Sequence, residues 1–170
     1  DLCAEAIRLA RLLVELVPQE PEVLALLALM LLHDARRATR IGADGAMIPL
    51  EEQDRTRWNR DAIDAGLKLL DRALAFRSRG PYQVQAAIAA LHAQAARAED
   101  TDWKQIAALY GGLLREQPSA VVELNAAVAL AMAEGVQEGL AWIEQLGARE
   151  ELQGYHLLHA ARADLLRRLG

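Results

Sequence analysis

What most constrains this chain is a rhythm. Apolar residues recur at three- and four-residue steps along nearly its whole length, and most prolines and glycines fall between those stretches. That spacing puts apolar side chains on one face of an α-helix, and Pro and Gly end one helix and open the next. A first helix is predicted over Leu2–Val17, with Ile7, Ala10, Leu13, Val14 and Val17 on one face. Pro21 opens a second, reaching Arg40, because its missing amide proton costs nothing in a first turn. Ile41–Leu50 reads as a loop with two glycines and a proline. Glu51–Phe76 follows as a third helix, with Ile63, Leu67, Leu70 and Leu74 apolar, and Pro81 opens a fourth that runs to Arg97. Asp102–Glu116, Ser119–Glu134 and Val136–Leu146 are the fifth to seventh, and an eighth begins near Leu152. No stretch alternates as a strand does, so the fold class is all-α.

The intervals between openings carry the architecture. Helices open at Pro21, Pro81, Ser119 and Leu152, and each of the first three is followed by a partner. The last two intervals are close to the roughly 34-residue tetratricopeptide period, while the first is lengthened by the Ile41–Leu50 loop and a long third helix. Paired small residues (Ala126-Ala127, Ala160-Ala161) suit helices that approach closely. The expectation is one domain over residues 1–170, a right-handed solenoid of antiparallel helical hairpins with degenerate repeats and about eight helices; a plain helical bundle is the alternative.

Net charge is −5 over 170 residues. Duplex DNA is held largely by basic surfaces that displace counterions, so this stretch by itself is not expected to bind it. One cysteine, Cys3, forbids an internal disulfide and suits a reducing cytosol. No apolar run is long enough to cross a membrane as a helix. The chain begins Asp1-Leu2-Cys3 without a methionine, and is expected to be a piece of a larger cytoplasmic protein.

Five strings go beyond periodicity. They are Leu29–Arg37 (LMLLHDARR), Glu52–Asn59 (EQDRTRWN), Gly80–Ala90 (GPYQVQAAIAA), Glu99–Trp103 (EDTDW) and Gly154–Leu166 (GYHLLHAARADLL). In this order and spacing they resemble the C-terminal, tetratricopeptide-like domain of one group of bacterial extracytoplasmic-function (ECF) RNA polymerase sigma factors, over essentially the whole chain. The resemblance implies a role in transcription initiation. Sigma regions 2 and 4 would lie N-terminal to this stretch and bind DNA in the full-length factor, and a final partner for the eighth helix would follow. The partners implied are the sigma core in cis, RNA polymerase, or both, with this domain regulating the factor. A different class of function, a sensor whose groove binds a small ligand or a separate signalling protein, is the alternative.

Two sets of residues are candidates for contact. Asp54, Arg55 and Trp58 can share a face at the start of a helix, where Arg55 could pair with a carboxylate and Trp58 could bury a large plate. They form either a docking point or an anchor for the preceding loop. Helices opening at Pro21, Pro81, Ser119 and Leu152 would line the concave side. Their polar residues Gln83, Gln85, Asn125, Tyr155, His156, His159 and Arg162 are the groove candidates. His156 and His159 have chelate spacing but no third ligand, so no metal or cofactor is expected. Asp100 and Asp102 read as N-cap candidates, and His33 and His92 as isolated structural residues. No phosphate loop or catalytic constellation is present: Gly42-Ala43-Asp44-Gly45 lacks the lysine, and Ser78 and Ser119 sit at helix boundaries. No enzymatic activity is expected.

Overall fold

A computed structural model describes residues 1–170, in which the regular structure is helical apart from one isolated bridge between Ile41 and Met47. Eight α-helices follow in order: α1 (Leu2–Leu16), α2 (Pro21–Asp34), α3 (Arg60–Ala75), α4 (Pro81–Gln94), α5 (Trp103–Glu116), α6 (Ala120–Ala133), α7 (Val136–Gly147) and α8 (His156–Leu169). The chain divides into two compact units, Asp1–Thr101 and Asp102–Gly170.

In the first unit α2 packs against α1, α3 and α4. Its sequence has no strongly polar face, and Leu24, Ala25, Leu27, Ala28, Leu31 and Leu32 are all buried. Two of the helices around it differ: α1 and α3 are clearly amphipathic, as helices covering a core from outside should be. The largest core cluster joins Ala28 and Leu32 of α2, Ile63 and Leu70 of α3, Ala86, Ala90 and Ala93 of α4, and Trp58 from the segment before α3. In the second unit α6 plays the part of α2. It packs against α5 and α7, with α8 beside α7, and Leu124, Ala127 and Ala131 meet Ile143, Leu146, Leu158 and Leu165.

Three predicted boundaries are corrected. The second helix stops at Asp34, short of Arg40, and a 3₁₀ turn over Arg37–Thr39 follows. The third starts at Arg60, not Glu51: Gln53 and Trp58 are extended (ψ 135° and 142°), which no α-helix tolerates, and the Asn59 side chain caps α3 by accepting from the Ala62 N–H at 3.1 Å. The fourth ends at Gln94, where Ala95 turns extended. The other helices fall within a few residues of expectation, with Asp102 and Ser119 capping α5 and α6.

Two glycines set helix spacing. A Cβ on Gly66 of α3 would stand 2.9 Å from Leu32 Cγ and 3.2 Å from the Ala28 carbonyl oxygen of α2. A Cβ on Gly139 of α7 would stand 2.3 Å from Ala131 Cβ and 2.6 Å from the Ala127 carbonyl oxygen of α6. Close-packed interiors do not absorb such overlaps. Gly139→Ala is therefore expected to lower unfolding free energy by about 1–3 kcal/mol, measured by urea denaturation. Gly111→Ala, where nothing lies within 4 Å, should raise it by up to about 1 kcal/mol through helix propensity.

Candidate functional site

Between α2 and α3 the chain makes a self-contained excursion. Its loop closes on itself through Gly42 N–H to the Ala46 carbonyl (2.8 Å), Gly45 N–H to the Gly42 carbonyl (3.0 Å) and Ile48 N–H to the Arg40 carbonyl (2.9 Å). Gln53 fastens it from inside, donating through Nε2 to the Ile48 carbonyl at 3.0 Å. The Thr39 hydroxyl donates to the Arg36 carbonyl at 2.9 Å and lies 3.3 Å from Gln53 Oε1. Trp58 is inserted into the main core and donates its indole N–H to Thr39 Oγ1 at 3.0 Å. The loop presents Ile41 and Met47, bridge partners, as exposed apolar side chains.

Arg55 explains why α4 stops where it does. One of its terminal nitrogens donates to the carbonyls of His92 (2.6 Å) and Ala95 (2.9 Å), groups that a helix end leaves without intrahelical partners. The guanidinium lies 4.7 Å from the Trp58 ring centroid, within cation–π range. The expected trio is thereby sorted. Asp54 stays at the surface and caps its own 3₁₀ turn, accepting from the Thr56 N–H (3.0 Å) and hydroxyl (2.6 Å). Arg55 and Trp58 are only 7% and 4% exposed, so they anchor the excursion and offer a partner no surface. Nor do the three share a helical face, since no α-helix runs through them.

The first unit also gathers positive charge. Arg36 donates to His33 Nδ1 at 3.0 Å, and its own pKa is drawn down to about 10 by burial and then by Arg40 and Arg55. His33, though part of its side chain is exposed, is pushed down to about 4 by desolvation, then by Arg36 and Arg40. His92 is likewise pushed down to about 4 by burial, then by Arg36, Arg55 and His33. The two histidines, expected to be isolated, belong to one neighbourhood. Cys3, remote from any histidine in sequence, lines a cavity together with His33, Arg37 and Arg40.

The groove candidates do not stand alike. Gln83 is buried at 2% exposure with neither amide atom hydrogen-bonded, so it is not a groove residue; Gln85 beside it is half-buried. Both lie in the first unit. In the second unit Asn125 is exposed, Tyr155 is half-buried against the His156 ring (centroids 5.8 Å apart), and His156, His159 and Arg162 are exposed on α8. His159 and Arg162 line a crevice of 470 Å³ between α7 and α8, where Arg162 pairs with Glu144 at 3.3 Å.

Two long-range ties had no sequence signal. Glu22 of α2 accepts from the N–H groups of Tyr82 (2.9 Å) and Gln83 (3.1 Å) at the start of α4. Glu123 of α6 holds Arg149, ahead of α8, at 2.8 and 2.9 Å. Asp100, expected as a cap, instead takes Arg97 through two nitrogens at 3.0 Å.

Residues 1–74 match the model of a family of unknown function (DUF6596); that span covers α1, α2, the excursion and nearly all of α3. An uncharacterized protein of Rhizobium meliloti (strain 1021) is 52% identical over 170 residues, 100% of this chain and 40% of that protein. The chain thus spans well under half the length of the curated relative it matches. No solved structure matches it. No helix is long and apolar enough to cross a membrane.

Trp58→Ala should cost about 3–5 kcal/mol by cavity formation, and Trp58→Phe about 1 kcal/mol by losing the bond to Thr39. Arg55→Lys should not rescue Arg55→Ala, since an ammonium cannot reproduce the planar stack; chemical denaturation of the variants checks both. His33 and His92 are neutral in the fold and protonate more readily when unfolded, near the ordinary value of 6.5. Stability should therefore be flat above about pH 6.5 and fall as pH drops from 6.5 towards 4. His92→Gln should flatten that slope in a series of urea midpoints.

Proposed function

We propose that this chain is the regulatory, protein-interaction domain of a bacterial ECF-type sigma factor, and that it modulates transcription initiation by docking on the sigma core in cis or on RNA polymerase. The observation that carries this reading is the set of five ordered strings spread over the whole chain. The length of the Rhizobium meliloti relative supports it, since 60% of that protein lies outside the matched region and has room for other domains.

A docking face is available in α1. Ile7, Ala10 and Val14 pack inward, but the apolar arc of the helix is wider than the strip they occupy. Leu9, Leu13 and Leu16 continue it as an exposed i, i+4, i+7 stripe, with Leu2 at 89% and Leu16 at 77% exposure. Contiguous exposed apolar surface of this kind marks interaction sites more often than ordinary surface, and an i, i+4, i+7 row is how a helix presents itself to a groove. This stripe, not Asp54, Arg55 and Trp58, is the contact surface favoured in the proposal.

The test is a reporter transcription assay with the longer protein, its deletion of this domain, and a Leu9→Glu/Leu13→Glu version, all at matched protein levels. Deletion and double substitution are each expected to change reporter output at least several-fold. Unchanged output from the deletion would refute the regulatory role. Unchanged output from the double substitution alone would refute α1 as the docking face.

A further inference from the structure

We propose that the cavity between the first turns of α1 and the C-terminal end of α2 is a binding site for a small organic acid, a carboxylate carrying a short aliphatic chain. This goes beyond the docking reading and does not depend on it. The cavity has a volume of 190 Å³. That is below the range of about 300–1,000 Å³ usual for drug-sized ligands, and equals the liquid volume of about six waters.

Its lining divides by chemistry. Ala6 and Ile7 of α1 and Met30 of α2 supply an apolar wall. His33 and Arg40 supply polar groups, and the exposed thiol of Cys3 belongs to the same lining. Asp34 and Arg37, the remaining lining residues, are satisfied by each other at 3.0 Å, and Arg37 also holds Asp1.

Arg40, which lines the cavity, and Arg36, which does not, are different. Neither has a carboxylate within ion-pair distance; the Arg36 side chain finds only the His33 ring, and Arg40 bonds through its backbone, donating to the Arg37 carbonyl at 3.3 Å and accepting from the Ile48 N–H at 2.9 Å. Because Arg36 donates to Nδ1 of a neutral imidazole, the ring proton sits on Nε2 and is a donor. The polar groups left over are therefore donors, an arginine fork and an imidazole N–H, beside an apolar surface. The Arg40 guanidinium is exposed beside the cavity and has no counterion in the fold, so it is open to one from solution. A carboxylate would pair with Arg40, as arginine and carboxylate form the strongest hydrogen-bonded ion pairs, while the aliphatic chain would cover Ala6, Ile7 and Met30.

The experiment titrates the 170-residue chain with hexanoate by calorimetry, and in parallel with hexan-1-ol and inorganic phosphate. Protection of Cys3 from alkylation locates the site. Hexanoate is expected to bind with a submillimolar Kd and to slow Cys3 alkylation, and neither comparison compound should match it. Arg40→Gln, whose side chain makes no contact the fold needs, should weaken hexanoate at least tenfold with an unchanged thermal melt; His33→Gln should weaken it less. The proposal fails if hexan-1-ol binds as well as hexanoate, if phosphate protects Cys3 equally, if Arg40→Gln binds normally, or if no hexanoate binds.

Discussion

The first unit hangs on the way Arg55 completes the end of α4. The last turn of any helix leaves carbonyls without partners, and here two of them, from His92 and Ala95, receive a guanidinium that is almost fully buried. The cation is acceptable there because it meets the negative end of the helix dipole and lies over the Trp58 ring. Trp58 in turn is held by Thr39, and Thr39 by the turn that ends α2. The Asn59 N–H then closes on the Ala35 carbonyl at 2.8 Å. An excursion of some two dozen residues is thus stitched to three helices at once.

The two units solve the same packing problem with the same parts. In each, a helix with no strongly polar face (α2, α6) packs against the amphipathic helices that precede and follow it (α1 and α3, α5 and α7), and a glycine on the following helix lets the two backbones come close. In each, a glutamate near the start of that inner helix reaches a distant stretch of chain, the opening of α4 in one unit and the segment just past α7 in the other. Glu22 does so through backbone amides and Glu123 through Arg149. Apolar burial supplies most of the stabilisation in such cores, and these polar ties add register, since only one alignment satisfies them.

Helix number and most boundaries were legible because Pro21, Pro81, Asp102 and Ser119 act locally, through missing donors or capping oxygens. The segment before α3 was not. Glu51–Trp58 has good helix formers and an apparent i, i+4 pair, yet Trp58 gains more by entering the core than by continuing a helix. That choice is tertiary and leaves no local trace. The same limit applies to the site. Sequence spacing picked out Arg55 and Trp58 as unusual but could not tell an anchor from a contact, since both need a large, hydrogen-bonding side chain. Gln83 looked like a groove residue from its place on a helix whose burial only the fold reveals. The Cys3, His33 and Arg40 grouping brings together positions some thirty residues apart that carry no shared pattern.

The caps of α4 bear on how the unit assembles. Gly80 offers no side-chain cap at one end, where Glu22 serves from 60 residues upstream, and Arg55 serves the other end from 37 residues upstream. Isolated helices of this length are marginal in water, and α4 has Pro81 in its first turn but no side-chain cap from its own flanks. Its two ends are therefore satisfied only where α2 and the Trp58 segment are in position, which couples the stability of α4 to both. An intact α4 thus reports that both distant segments are in place, and disturbing either one leaves an end of the helix without its cap.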